Sequence, residues 1–345
     1  MSSFQSDRTA QRVLIIGAGM AGLSCGAALG SVGHVVTLID KARGPGGRMS
    51  TRRVETPLGQ VGFDHGAQYF TARDPGFRQQ VAEWAAAGVA APWAVAGADA
   101  WVGTPGMNAV IRALAEGQDV RWNMRAEHIV RQREGWLVHT DAGLLEPFDA
   151  IVLAIPAEQT LPFLSLHDDD MAGAALIARS QPCWTAMFTF AERLPFELDI
   201  LRDCGAVGWA ARNSAKPARS GPEAWVVQGT PDWSEANLEC AAPDIAARLL
   251  AELAKALGAD VPAPISANAH RWRYAQSPGL GRGALWKPNL ALGVCGDWLL
   301  APRVECAWLS GQQLARSMAD AAPLWPEVQH GEAGLSPSGD KLRLD

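Results

Sequence analysis

The sequence predicts an α/β protein of two domains, one organised on a central parallel sheet and the other, of α+β type, on an antiparallel sheet. Residues 12–39 carry the first sign: an apolar run, a glycine turn, a helical stretch and a second apolar run, together a β-α-β unit. A length of 345 residues is the second, because domains of roughly 150 residues make two the expected number. The third lies mid-chain. There 183–191 (CWTAMFTFA) and 224–229 (AWVVQG) alternate or run apolar in the manner of antiparallel strands.

Taken in order, 12–16 (RVLII) reads as a buried parallel strand, 20–31 as a helix stopped by Gly33, and 35–39 (VVTLI) as the second strand. Residues 42–48 (ARGPGGR) form a rigid glycine-rich loop. A helix is expected over 77–88, with Gly88 past its end, and another after Pro105-Gly106, with Met107 to Leu114 as its body. Strands follow at 119–122, 127–131, 135–140 and 149–154. Beyond the mid-chain strands a helix fills 243–257 and ends at Gly258. A strand at 290–295 runs into Gly296-Asp297, and a last helix covers 306–321. The tail from Pro323 is rich in Gly, Pro and Ser and is expected to be disordered.

Composition narrows the function. With 48% hydrophobic and 19% charged residues the chain can bury a large core. A net charge of −6 and a pI of 5.7 argue against a nucleic-acid partner, since no basic face dominates. The local cluster of Lys41, Arg43, Arg48, Arg52 and Arg53 suits a small anion better than a polymer. No apolar run reaches the ~18 residues of a membrane span. Residues 13–40, broken by Gly17, Gly19, Gly22 and Gly26, do not make a signal peptide. Cys25, Cys183, Cys204, Cys240, Cys295 and Cys306 are scattered with no C-x-x-C pair. Buried thiols in a reducing cytoplasm are therefore expected, with no disulfide framework and no metal site.

The strongest motif is Gly17-Ala18-Gly19-Met20-Ala21-Gly22, a G-x-G-x-x-G set between the first strand and the first helix of a Rossmann-type unit. Gly17 permits the tight turn, Gly19 lets backbone approach a pyrophosphate, and Gly22 lets helix pack close to strand. The helix N-terminus adds N–H donors and a positive dipole end. Asp40 closes the second strand, where an acid accepts hydrogen bonds from ribose hydroxyls. The fingerprint alone does not separate NAD from FAD, but three further segments do. From Asp40 the chain continues through Lys41, Arg43, Gly47 and Arg48, where glycines fold over a cofactor and arginines neutralise phosphate bidentately. An apolar strand ends at Pro156. Near the C-terminus Gly296-Asp297 follows a buried strand, and Val304 to Gly311 opens a helix. A carboxylate there can bind ribityl hydroxyls, and the helix start can face the flavin pyrimidine edge.

In combination these residues resemble the flavin-containing amine oxidase superfamily, and within it the renalase-like branch. Further phrases carrying the resemblance are Gly46-Gly47-Arg48-Met49-Ser50-Thr51-Arg52-Arg53, Phe63-Asp64-His65-Gly66-Ala67-Gln68-Tyr69-Phe70, Arg271-Trp272-Arg273-Tyr274 and Cys295-Gly296-Asp297-Trp298. The likeness runs from about residue 12 to 320. It implies noncovalent FAD with Gly17, Gly19, Ala21 and Gly22 on the pyrophosphate and Asp40 and Lys41 on the adenosine ribose. Arg48 would reach the phosphates, Gln68 and Tyr69 would line the isoalloxazine, and Ala126 would meet the adenine. Asp297 and Val304 would sit at the ribityl chain and pyrimidine. Cys306 stands where glycine is common, and Gln228 where histidine is expected. The expected FAD-binding domain takes roughly 10–75, 103–160 and 285–322, and the substrate domain 76–102 and 161–284, with the active site between them.

On the substrate side, fourteen tryptophans stand against two tyrosines. Core packing and a wall opposite the flavin are both open for each of them; Trp184, Trp272 and Tyr274 are the chosen wall residues. Arg212 and Lys216 share a polar loop and could contact a phosphorylated substrate or simply be solvated. His65 reads as a structural hydrogen-bonding residue. No catalytic triad or paired carboxylates stand out, and hydride transfer by a flavin needs none. By resemblance the substrate is a misreduced dihydronicotinamide dinucleotide, oxidised to NAD(P)+ with O2 giving H2O2. The alternatives are an amine or polyamine oxidase, for which Lys287 would be the lysine close before the C-terminal flavin segment, another oxidoreductase of the fold acting on a lipid, and a redox-sensing flavoprotein without turnover.

Overall fold

In the computed structural model, residues 10–320 are described; the tail expected from Pro323 lies outside them. A six-stranded sheet runs in the order Leu285–Lys287, Leu292–Val294, Ala150–Leu153, Arg12–Ile16, Val35–Asp40 and Asp119–Trp122. All neighbours are parallel except the antiparallel edge pair Leu285–Lys287 and Leu292–Val294. Both faces are covered, which is why 13–16 is apolar throughout. Val13 and Ile15 join one core with the helix Met20–Ser31, while Leu14 and Ile16 join another with Trp136 and Leu164.

The two ends of the chain meet through a helix crossing. The last helix, Val304–Asp320, lies against Met20–Ser31, and Ser24 Oγ donates to the Trp308 carbonyl at 2.9 Å. A Cβ at Gly311 would stand 2.3 Å from the Ala21 carbonyl oxygen, so only glycine allows this approach. The approach holds the C-terminal segment beside the fingerprint turn.

A five-stranded antiparallel sheet makes the second half, in the order Ile200–Cys204, Val207–Arg212, Glu223–Gly229, Gln181–Phe190 and Ser266–Gln276. One face carries Trp184, Ala186, Phe188, Trp225 and Val227 and is covered by Ile245, Leu249 and Leu253 of the helix Ala242–Leu257. The other face, with Thr185 and Met187, looks back toward the first half, where Met187 and Val226 meet Val61 and Phe63. The strand alternation thus divides one sheet between a private core and a shared surface.

Two stretches expected in the substrate domain pack elsewhere. Phe77, Val81, Trp84, Trp93 and Val102, from 76–102, share the core of Leu23, Val152 and Leu314. Leu164, Met171 and Ala174 join Leu14 and Leu153. An amphipathic stripe says that a helix buries one side, not against which core, so the pattern does not decide which core these pieces join. The first of these helices also begins at Pro75, earlier than expected, because Asp74 caps it by accepting from Gly76 N and Phe77 N at 2.9 and 3.1 Å. The hairpin Thr51–Thr56/Gly59–Asp64 and the strand Ser266–Gln276 carry no clean alternation, and the sequence does not announce them. Among the described residues no helix is long and apolar enough to cross a membrane.

Candidate active site

The fingerprint turn is built as its glycines demand. Gly17 has φ +108°, and its amide donates to the Ile39 carbonyl at 2.8 Å. A Cβ at Gly22 would stand 1.9 Å from the Gly17 carbonyl oxygen, so helix and turn are in backbone contact. A Cβ at Gly19, by contrast, would meet nothing within 4 Å. Gly19 is the N-cap of the first helix and contributes no side chain, leaving first-turn amides without intrahelical partners. Open space beside unpaired N–H donors at a positive dipole end is the surrounding a pyrophosphate needs. The glycine loop faces the same space, with a Cβ at Gly47 meeting only the Gly19 Cα, at 3.9 Å.

Asp40 fastens this turn, as its Oδ2 accepts from Ala18 N and its Oδ1 from Ala42 N, both at 2.8 Å. It remains half-buried, so each oxygen keeps a lone pair for a ribose. Asn123 N and Met124 N donate to the Ala42 and Asp40 carbonyls, which brings the stretch leading into Ala126 alongside. Lys41 and Arg43 are exposed, Lys41 Nζ reaching Gln159 Oε1 at 3.1 Å. Arg48 does not stand free toward phosphate. It grips Asp297 with two nitrogens, at 2.8 and 2.6 Å, joining the glycine loop to the Gly296-Asp297 segment ahead of Val304. These donors, the open cradle and the half-buried acid fit a dinucleotide.

Over the loop that carries Gln68 and Tyr69, the antiparallel sheet offers a row of directly paired residues: Trp209, Gln228, Thr185 and His270. Gln228 Nε2 donates to the Gly66 carbonyl and Trp272 Nε1 to the His65 carbonyl, both at 2.8 Å. The sheet thereby clamps the loop that carries Gln68 and Tyr69, and Gln228 gains a role without being histidine. Tyr69 stacks on Trp209 with ring centres 5.3 Å apart. Trp209 is the residue that sequence reasoning passed over. The register identifies it: Trp209 lies in line with Gln228, whereas Trp184 neighbours the shared-face Thr185 and points the other way.

Three expectations change accordingly. Trp184 is 3% exposed in the outer core and its indole N–H serves the Asn237 carbonyl, so it lines no site. Arg212 is fully buried, with four of its five N–H donors bonded to Glu223, Asp199 and the Leu194 and Phe196 carbonyls, so it is a structural residue of the sheet. Lys287 is tied to Asp168 and Asp170 at 3.1 and 3.0 Å. Trp272 and Tyr274 are half-buried on the strand Ser266–Gln276.

Beneath the Gln68 loop lies a buried ionic cluster. The Asp64 carboxylate takes Lys216 Nζ at 3.3 Å, Arg219 at 2.6 Å, Thr51 Oγ1 at 2.8 Å and Met107 N at 2.9 Å. Burial pushes this carboxyl up, but Lys216, Arg219 and the Met107 amide outweigh it and hold it at about 2. Lys216 also reaches Gln68 Oε1 at 3.1 Å, while Gln68 Nε2 donates to the Asp64 and Gly66 carbonyls. The Gln68 amide is thus spent inside the protein, and Tyr69 is the residue of the pair left half-buried. Desolvation lowers Lys216 to about 8 despite Asp64.

His65 packs 4.9 Å from His270 and 5.2 Å from Trp272, ring centre to ring centre. Burial, then His270 and Arg52, lower it to about 4, so it is neutral at pH 7. Between pH 6.5 and 4 the unfolded chain binds this proton and the folded chain does not, so stability falls as pH falls through that window. A His65→Gln variant should show a shallower loss of thermal midpoint from pH 7 to 5 than the parent; parallel curves would remove His65 as the cause.

Comparisons with known proteins agree with this architecture. Residues 15–84 match the family of NAD(P)-binding Rossmann-like domains, and residues 94–319 match the family described as flavin containing amine oxidoreductase. Mouse (Mus musculus) renalase is 26% identical over 302 residues, covering 77% of this chain and 85% of renalase. The solved structure of cyclohexylamine oxidase from Brevibacterium oxydans IH-35A superposes with a TM-score of 0.66, at 15% identity, over 90% of this chain and 99% of that one. At that identity it is the fold that is shared.

Proposed function

This chain belongs to the flavin containing amine oxidoreductases, and from that premise we propose that it oxidises misreduced dihydronicotinamide dinucleotides, the 1,2- or 1,6-dihydro isomers of NAD(P)H. The products are NAD(P)+ and, with O2 as electron acceptor and one proton taken up, H2O2. The protein is an FAD-dependent oxidoreductase of renalase-like type. Bound FAD supplies the hydride-accepting position and the route to O2.

The observation that supports the dinucleotide reading is the wall at the ring end: half-buried Tyr69 stacked on half-buried Trp209, with Trp272 beyond. Flat aromatic surfaces hold a planar nicotinamide by stacking and set its C–H at near-attack distance, about 3–3.5 Å. Oxidation of a dihydronicotinamide removes a hydride and leaves an aromatic ring, so no side chain has to take a proton from carbon. His65, neutral and packed against His270 and Trp272, fits that absence of a base. Gln228 and Trp272 fix the loop from above, and Asp64, Lys216 and Gln68 fix it from below.

Anaerobic mixing of the holoenzyme with isomerised NADH or NADPH, beside pure 1,4-NADH and a panel of primary amines and polyamines, tests the reading. Rapid bleaching of the flavin by the minor isomers alone is the expected result. Bleaching by an amine, or by none of these compounds, overturns the substrate assignment.

A further inference from the structure

We infer that Arg202 selects the charge of the substrate, receiving a phosphate group and turning away ammonium compounds; this rests on the dinucleotide reading above and on Tyr69 lining the flavin ring. The guanidinium carbon lies 4.8 Å from the centre of the Trp209 ring and 5.8 Å from that of Tyr69. Arg202 is exposed and comes from the strand Ile200–Cys204, beside the Trp209 strand, in register with Trp209 itself. Its NH2 group donates to the Ala96 carbonyl, which anchors it across from the other half of the molecule. Among the described residues no carboxylate forms an ion pair with it. A guanidinium held in place, exposed and unneutralised has donors free for an anion, and the geometry of phosphate suits its fork.

The same corner is poorly built for an amine. Aromatic rings attract ammonium groups through their π faces. Here the Trp209–Tyr69 pair already carries Arg202, and Trp93, 6.5 Å from Trp209, carries Lys216 Nζ at 5.4 Å from its ring centre. The protein's own cations occupy the surfaces an ammonium substrate would seek. Among the described residues the indole N–H groups of Trp93 and Trp209 have no acceptor. A like charge at this range disfavours a cationic ligand, while an anionic one is drawn in.

The test uses the holoenzyme, wild type against R202A, R202K and R202E, titrated with NAD+, NADP+ and phosphate-free nicotinamide riboside and followed by the flavin visible spectrum. NAD+ should bind R202A at least tenfold more weakly, and R202E more weakly still. R202K should recover part of the loss, and the riboside, a cation without phosphate, should bind R202A and R202E at least as tightly as wild type. The salt dependence of NAD+ binding should flatten in R202A. A larger loss for NADP+ than for NAD+ would identify the 2′-phosphate as the group received; equal losses identify the diphosphate. Binding of NAD+ and NADP+ to R202A within twofold of wild type overturns the inference, and so does an equal loss for the riboside. If no dihydronicotinamide isomer bleaches the wild-type flavin while NAD+ binding still depends on Arg202, the proposed substrate fails and the anion site stands.

Discussion

A Gly19→Val protein should fold like the parent yet emerge from purification without FAD, whereas Gly22→Val should not reach the folded state. The two glycines belong to one motif, and the difference lies in what surrounds them. At Gly19 a Cβ meets nothing within 4 Å, and the residue's φ of −86° is open to any L side chain, so the apoprotein loses little. The space a valine would fill is the space a pyrophosphate must enter. FAD affinity should fall at least tenfold, about 1.4 kcal/mol or more. At Gly22 a Cβ stands 1.9 Å from the Gly17 carbonyl oxygen, backbone that cannot swing aside. Overpacking there costs about 3 kcal/mol or more because helix and turn must separate. Flavin-to-protein ratios and thermal midpoints with and without added FAD separate the cases. The parent gains about 2.7 kcal/mol at a free FAD concentration one hundred times its Kd, and Gly19→Val gains about 1.4 kcal/mol or less at the same concentration. Stoichiometric FAD in Gly19→Val would mean that the cofactor does not run over this turn.

The second large effect is expected at Asp64. Asp64→Ala strands the buried Lys216 and Arg219 and leaves Thr51 Oγ1 and the Met107 amide without their acceptor. Removing one partner from a buried ionic group costs about 3–5 kcal/mol, most of it the uncompensated charge. Adding Lys216→Met to Asp64→Ala should recover part of that loss, since one stranded charge disappears, and a double-mutant cycle measures the coupling. The acid limb provides an independent check. Asp64 sits at about 2 in the folded protein against 3.8 for an ordinary carboxyl, so its contribution is complete above about pH 4 and lost as pH falls from there toward 2. Thermal midpoints of Asp64→Asn should therefore change less than those of the parent across that window. An unchanged acid limb, or a loss below 1 kcal/mol for Asp64→Ala, would show that the cluster does not hold the Gln68 loop.

Arg202 and Trp209 mark where reading the chain alone ran short. The alternation of 183–191 announces a strand with two faces, and both Trp184 and Trp272 are reasonable wall residues until the strands are paired. Pairing sets Cys183 opposite Trp272, so Trp184 belongs to the other face. Arg212 and Lys216 differ for the same kind of reason. Both look like loop cations in the sequence, yet Arg212 is enclosed by Glu223 and Asp199, while Lys216 is drawn under Gln68 by an aspartate about 150 positions earlier. Asp64 itself sits inside a phrase that carried the family resemblance, but nothing in its neighbours along the chain shows that it faces two cations.

Near neighbours along the chain govern one part of the molecule, and that part was legible before any fold was in hand. The turn between Ile16 and Met20, the helix after it, the acid closing the second strand and the stop at Gly258, with φ +64°, all follow from local backbone geometry and hydrophobic period. Long-range packing settled the rest: which core the helices of 75–86 and 169–177 fill, which tryptophan packs on Tyr69, and which charged groups are enclosed. Those outcomes depend on register and on contacts across more than a hundred residues, where a stripe or an alternation marks that a side chain is buried but not what it is buried against.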